Sequence, residues 1–157
     1  MTINLVPYHS KYDTALQAFH LPPEQIQFSA LPNTYLRTIK PGQHRIVMTD
    51  STDQPVGFFL LHETERVQDY SSNPQAMLLT ALTVNQCEQG KGYANQAMEL
   101  VSPYIQTHFP DKNEIILAVN KKNIAAQKLY TKSGFFDTGE RRIGHIGEQM
   151  LMNCKIT

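Results

Sequence analysis

Residues 77–100 read MLLTALTVNQCEQGKGYANQAMEL, and they combine three signals in a fixed order. Met77 to Val84 is a nearly continuous apolar run, which is typical of a strand buried on both faces. A loop over residues 85–91 follows. A long helix then starts near Gly92, with apolar residues at helical spacing such as Ala94, Ala97 and Val101. The order predicts a buried strand that passes through a glycine-containing loop directly into a helix.

The loop in this unit is suited to hold a diphosphate. Backbone N–H groups in the first turn of a helix have no partner within it, and they lie at the positive end of the helix dipole. Gly90 and Gly92 lack Cβ, so the backbone can bend and a ligand can approach closely. Lys91 adds a positive charge, and Ala94 keeps the first helical turn small. The alternative is a plain strand-to-helix turn, because neither the three-glycine dinucleotide spacing nor a Walker A ending is present.

The rest of the chain alternates strands and helices and then ends in strands. Further strands are predicted at residues 3–8, 45–49, 55–62, 114–119, 135–142 and 148–154, and further helices at 11–19, 29–39 and 123–133. Pro103 predicts a kink or an early end in the helix that starts near Gly92. No repeat or linker interrupts the order, so we expect one mixed α+β domain over residues 1–157.

A second motif follows the strand predicted at 114–119. Residues 123–135 read NIAAQKLYTKSGF. Together with the loop, this segment resembles the GNAT family of acetyltransferases. The family's A motif, Gln/Arg-x-x-Gly-x-Gly/Ala, is matched by Gln89, Gly92 and Ala94. The matches to its B motif, Asn-x-x-Ala-x-x-Leu-Tyr-x-x-x-Gly-Phe, are Asn123, Ala126, Leu129, Tyr130, Gly134 and Phe135.

The resemblance implies a fold, a cosubstrate and a reaction. The fold is a mixed, mostly antiparallel sheet with one splayed parallel strand pair and helices on both faces. The reaction moves an acetyl group from acetyl-CoA directly to a primary amine of a small amine, polyamine, amino acid or peptide, without a metal. The cosubstrate-binding positions carried over are Leu82, Thr83, Val84, Gln89, Gly90, Lys91, Gly92, Tyr93, Ala94, Asn120, Asn123, Ala126 and Tyr130. Residues 82–84 would act through backbone groups, as in strand addition to a sheet edge.

The resemblance also implies catalytic roles. Tyr130 would be the general acid for the leaving thiolate, against the alternative of a tyrosine that only fills the core. The base is left open, because the predicted central strand has no carboxylate at the usual place. His62, Glu63 and Glu65 follow the preceding strand and are candidate bases, with Glu63 as the predicted one. Asn120 and Asn123 have structural alternatives, as a partner for loop backbone and as a helix N-cap.

Composition excludes several other classes of protein. Acidic and basic residues balance at 14 each, so no basic excess indicates a nucleic-acid partner. No apolar run approaches the roughly 20 residues of a membrane span, and Met1 to Pro7 lacks the features of a signal peptide. We therefore expect a cytoplasmic protein with its two cysteines as free thiols. The histidines show no metal-ligand spacing.

Several alternatives remain open from the sequence. A non-catalytic domain that senses acetyl-CoA would keep the same fold, and an acyltransferase could use another acyl-CoA or an oxygen acceptor. The acceptor pocket would come from the variable loops at 21–43 and 64–74. A homodimer through the strands from Phe135 onward is the expectation for assembly, since many members of this family pair through C-terminal elements.

Overall fold

A computed structural model describes residues 2–156, which contain a seven-stranded sheet. Met1 and Thr157, the two ends of the predicted domain, lie outside the described residues. The strands are β1 (Asn4–Pro7), β2 (Gln43–Thr49), β3 (Pro55–His62), β4 (Ala76–Val84), β5 (Glu114–Asn120), β6 (Phe136–Gly144) and β7 (Gly147–Lys155). Their order is β1-β2-β3-β4-β5-β7-β6, and the strand pairs are antiparallel except β4–β5, which is parallel. The predicted fold class is confirmed.

Helices cover both faces of this sheet. They are α1 (Asp13–Gln17), α2 (Pro23–Ile26), α3 (Tyr93–His108) and α4 (Ile124–Lys132). Leu16 of α1 packs with Phe58 and Leu60 in one core, whereas Ile105 of α3 packs with Phe59 in the other. Successive strand side chains point to opposite faces, so β3 supplies both cores and is buried on each side. None of the helices in residues 2–156 is long and apolar enough to cross a membrane.

The helix predicted over residues 29–39 is wrong. This part of the chain has only a 3-10 turn at Pro32–Tyr35, although Leu36 is buried as its spacing suggested. Arg45 of β2 donates hydrogen bonds to the carbonyls of Tyr35 and Leu36, at 3.1 and 3.0 Å. These bonds satisfy carbonyls that a helix would have used, so a tertiary contact replaces helical structure here.

Of the kink or early end predicted for α3 at Pro103, the early end does not occur. The helix continues to His108, five residues beyond the proline. Tyr104 and Ile105, which directly follow the proline, are both buried in the core. Their packing offsets the roughly 3 kcal/mol that proline costs inside a helix.

The parallel pair is short, and this opens the sheet. β4 and β5 pair only at Ala76–Glu114, Met77–Ile115 and Leu78–Ile116. Beyond Leu78, β4 stays paired with β3 on its other side. A bulge interrupts that pairing, and within it Ala81 takes a φ of 59°, which is uncommon for a residue with a Cβ. The predicted divergence is confirmed, and it begins at Leu78, earlier than the Leu82 expected from the sequence.

Candidate active site

A cleft of about 1020 Å³ lies where β4 and β5 separate. The C-terminal halves of these two strands form its floor. The α3 N-terminus lies at one end and the β6–β7 hairpin at the other, and α4 and the segment after α2 complete the walls. The volume matches that of pockets that enclose a large ligand. The cleft therefore brings together most of the residues selected from the sequence.

The loop before α3 has the backbone that its glycines predicted. Gly90 and Gly92 have φ values of 81° and 82°, which strongly favour glycine, and a Cβ built on either would meet nothing within 4 Å. Gly92 is the N-cap of α3, and within the described chain no side chain forms a capping bond to it. The backbone amides of Gly90, Ala94 and Asn95 donate to no acceptor in residues 2–156. All three residues line the cleft, at the positive end of a 16-residue helix.

Two side chains of this loop are held by neighbouring protein groups. The Gln89 Nε2 atom donates to the carbonyl of Val84 and to the Gln25 Oε1 atom, both at 2.9 Å. Gln89 therefore ties the loop to β4 and α2. The Lys91 ammonium is 2.8 Å from the Glu88 carboxylate. Gln89 lines the cleft, whereas Lys91 does not.

The wall formed by residues 82–84 presents backbone rather than reactive side chains. Thr83 and Val84 pair with Phe58 and Gly57 of β3, so their opposite edge faces the gap. The buried Thr83 hydroxyl donates to the Ala30 carbonyl at 3.2 Å. No strand of the described chain pairs with this edge at residues 82–84, where the carbonyls of Leu82 and Val84 accept side-chain hydrogen bonds from Ser29 and Gln89. An extended ligand can add along an edge that has no strand partner.

Tyr130 lies in the wall of the cleft. Its side chain is buried, with 7% exposed, and its ring packs at a tilt on Phe135 with 5.6 Å between centroids. Burial raises the pKa of Tyr130 far above the usual value for a phenol, so the hydroxyl is protonated at neutral pH. No residue between 2 and 156 forms a hydrogen bond with this hydroxyl. A neutral donor without a protein partner is thus placed in the cleft.

Asn120 and Asn123 shape the cleft by holding backbone. The Asn123 Oδ1 atom accepts from the amide of Ala126 at 3.2 Å, which makes it the N-cap of α4. The Asn120 side chain accepts from the amide of Lys122 at 2.9 Å and donates to the carbonyl of Ile146 at 3.3 Å. The fold therefore uses Asn120 as a partner for loop backbone and Asn123 as a helix N-cap, the two structural roles expected from the sequence. Ala126 also lines the cleft.

Asn123→Ala is expected to lower the free energy of unfolding by about 1 kcal/mol, because α4 loses the acceptor for one of its first amides. Denaturant titration measures this change. Lys128→Ala, on the exposed side of the same helix, is the control and should change stability by less than about 0.5 kcal/mol. Equal stability of Asn123→Ala and the wild type would contradict the capping role.

The structure does not bring Glu63 to the cleft. Glu63 follows His62, which pairs with Leu78, so it lies at the end of the sheet opposite to the gap. Its carboxylate contacts the His44 ring nitrogen at 2.8 Å. Glu65 begins a 3-10 turn in the connection between β3 and β4 and also does not line the cleft. The antiparallel direction of β3 relative to β4 accounts for this placement.

His62 does reach the cleft, through a neighbour. It is fully buried, and its Nε2 atom lies 2.7 Å from the hydroxyl of Thr80, which lines the cleft. Its Nδ1 atom has no partner within residues 2–156. Burial, with Arg66 and His44 as smaller causes, lowers the pKa of His62 to about 4, so the ring is neutral at physiological pH. The sequence indicated His62 as one of three candidate bases or as a solvated strand-end residue, and its burial and its link to Thr80 depend on the strand register.

Comparison with known proteins agrees with this geometry. The sequence matches the Acetyltransferase (GNAT) family over residues 10–135. The chain belongs to this family. It is therefore an acyltransferase that uses acetyl-CoA. It is 43% identical over 155 residues to YbbJ of Bacillus subtilis (strain 168), described as an uncharacterized N-acetyltransferase, and the match covers 96% of both chains.

Two groups of solved structures share the fold at low sequence identity. The aminoglycoside acetyltransferase AAC(6')-Ib with coenzyme A superposes with a TM-score of 0.77 at 14% identity, over 98% of this chain and 95% of that one. Spermidine N-acetyltransferase from Vibrio cholerae with CoA and spermine gives a TM-score of 0.66 at 16% identity, over 99% of this chain and 96% of that one.

Proposed function

We propose that the protein acetylates the primary amine of a small molecule or peptide, with Tyr130 as the donor to the departing sulfur. The observation that carries this proposal is the neutral, unpartnered Tyr130 hydroxyl in a cleft whose other end is the amide-lined loop before α3. The diphosphate of acetyl-CoA lies against residues 89–94. The pantetheine arm follows the open edge of β4, bonded to backbone groups of residues 82–84.

In this proposal the chemistry is a direct transfer. The amine nitrogen attacks the thioester carbonyl carbon, the new C–N bond forms, and the C–S bond breaks to release the coenzyme A thiolate. The Tyr130 hydroxyl donates a hydrogen bond to the sulfur as negative charge develops there. The proton that the amine loses leaves through solvent in the cleft.

We assign the amine's proton to solvent because the groups near the acceptor are weak bases. His62 is close enough to Thr80 to orient its hydroxyl, but a ring with a pKa of about 4 is a weak proton acceptor. Thr80 and His62 therefore position the amine. A lysine-like amine has a pKa near 10.4 and a peptide N-terminus one near 8, so the second is far more often neutral at physiological pH. Within residues 2–156, no carboxylate from β5 or the β6–β7 hairpin lines the cleft to act as a base, which favours the less basic acceptor.

The test is release of free thiol from acetyl-CoA in the presence of small amines, polyamines, amino acids and peptides. Each acceptor is also tested with thioesters of longer acyl chains. We expect thiol release that depends on the amine and yields the acetylated product. Release no faster than hydrolysis with every acceptor would contradict the proposal.

We also propose that two copies pair through β6. This strand is at the edge of the sheet, and its Phe136 and Ile143 are 71% and 78% exposed. An edge strand presents unpaired backbone groups to a second copy, and here two exposed apolar side chains flank its charged residues. Light scattering should give twice the monomer mass for the wild type and the monomer mass for Ile143→Lys. A wild-type monomer at every working concentration would contradict this assembly.

A further inference from the structure

Two arginines converge on one buried tyrosine beside the cleft. The Tyr70 hydroxyl accepts hydrogen bonds from Arg142 at 2.5 Å and from Arg66 at 3.2 Å. The guanidinium groups also lie 4.3 and 5.7 Å from the centre of the Tyr70 ring. Tyr70 thus fixes the position of two positive charges.

Neither arginine has a carboxylate partner in residues 2–156. Arg141, the next residue along β6, differs in this respect, since it forms a two-pronged pair with Asp137 at 2.8 and 2.9 Å. Arg142 is half-buried, and a charge removed from water needs a partner to offset the lost hydration. A phenol supplies one acceptor for two guanidinium groups, which leaves most of their N–H donors available.

Arg142 lies on the face of the sheet that forms the acceptor side of the cleft. It pairs across the strands with Gln149, and Gln149 pairs with Asn120. Cross-strand partners share one face of a sheet, so the three side chains lie on the same side. Arg142 does not itself line the cleft, but its guanidinium is 3.4 Å from the side-chain oxygen of Gln149, which does.

The charges that line the cleft also favour an anion near Arg142. Its two carboxylates, Glu24 and Glu88, lie at the end occupied by the loop before α3. Glu88 is paired with Lys91, and Glu24 precedes Gln25, which is bonded to Gln89. The lining residues from β5 and the β6–β7 hairpin, within the described chain, include no carboxylate. A polyamine would meet no anion here and would be repelled by Arg142.

We propose that the acceptor carries a carboxylate in addition to its amine, and that Arg142 binds this carboxylate. The inference rests on the proposed amine acetylation and names the substrate class for that site: an amino acid or a related amino carboxylate. A planar guanidinium matches a carboxylate with two parallel hydrogen bonds, which orients the acceptor as well as holding it. Tyr70 is then a positioning residue.

The experiment compares kcat/KM for amino acids with that for the corresponding amino-acid amides, which keep the amine and lose the charge. Because the amide has the less basic amine, the two acceptors are compared at equal concentrations of neutral amine, and on that scale we expect the wild type to prefer the acid form. Arg142→Gln should reduce the ratio of acid to amide by roughly 10- to 100-fold, the size expected for a charge-assisted hydrogen bond. Arg142→Lys keeps the charge without the planar fork and should reduce the ratio less. Comparing ratios between variants cancels the different amine pKa values of the two acceptors.

Arg141→Gln is the matched control, because Arg141 neighbours Arg142 and is already paired with Asp137. It should leave the ratio unchanged. A wild type that does not prefer the acid, or a ratio that Arg142→Gln leaves intact, overturns the inference while amine acetylation stands. If the wild type acetylates neither acids nor amides nor any other amine, the proposed function itself fails.

Discussion

Tyr130→Phe is expected to lower the single-turnover rate of acetyl transfer by about 10²–10⁴-fold, the usual contribution of a positioned proton donor. The substitution keeps the ring and its contact with Phe135, and it removes only the hydroxyl. Since the hydroxyl has no partner among the described residues, little stability depends on it. The affinity for acetyl-CoA should therefore stay close to that of the wild type.

The raised pKa of Tyr130 decides how this donor acts. Full proton transfer from an ordinary phenol, with a pKa near 10, to a thiolate whose conjugate acid has a pKa near 8.5 is unfavourable by about 2 kcal/mol. Burial makes the phenolate of Tyr130 still less favourable. The larger effect is thus a strong hydrogen bond to the developing thiolate, with solvent protonating the sulfur after release.

Tyr104→Phe is the matched control for this experiment. Tyr104 is also a buried tyrosine whose pKa is raised by burial, but it stacks on His108 far along α3 from the cleft. Its substitution should leave the transfer rate unchanged. Single-turnover measurement avoids masking by slow product release. A Tyr130→Phe rate within a factor of about two of the wild type would show that the sulfur uses another donor.

Gly92→Glu should weaken acetyl-CoA binding by at least about 100-fold, as measured by calorimetric titration. Gly92 has a φ of 82°, and a side chain there would extend into the open space that we propose for the diphosphate. The carboxylate would repel the diphosphate, and the backbone strain of roughly 1–3 kcal/mol would disturb the amides that bind it.

Two further variants separate the effect of the added charge from the effect of the backbone strain. Gly139→Glu introduces the same charge at a similar φ of 86°, in the exposed strand β6. It should therefore cost stability without weakening acetyl-CoA binding. Gly92→Ala introduces the strain without the charge and should fall between the wild type and Gly92→Glu. Wild-type affinity in a folded Gly92→Glu protein would remove the loop from the cosubstrate site.

The parts of the site that are local in sequence could be predicted from it. The apolar run of β4, the glycines before α3 and the segment with Asn123 and Tyr130 each carry their signal within a few residues. The rest depends on register. Glu63 directly follows β3 and Thr80 lies in the middle of β4, and the antiparallel pairing of the two strands places only Thr80 at the gap.

Contacts between distant segments could not be predicted from the sequence, because they also depend on how the strands pair. Tyr70 and Arg142 are 72 residues apart and meet only because β7 places β6 beside the connection that leads into β4. The segment over residues 29–39 shows the opposite error. Its apolar spacing suits a helix, yet the hydrogen bonds from Arg45 hold it in an irregular path. Helical periodicity reports which residues are buried and not which backbone they adopt.

The short pairing between β4 and β5 has a consequence for how long the protein survives in a cell. Three residue pairs join β4 to β5, and in the proposed binding mode the cosubstrate would complete the open edge of β4. Binding at a concentration 100 times the Kd adds about 2.7 kcal/mol to the free energy of unfolding. The population of opened chains that proteases can cut falls by about 100-fold under those conditions. Turnover of the protein would then follow the supply of acetyl-CoA, with no separate degradation signal.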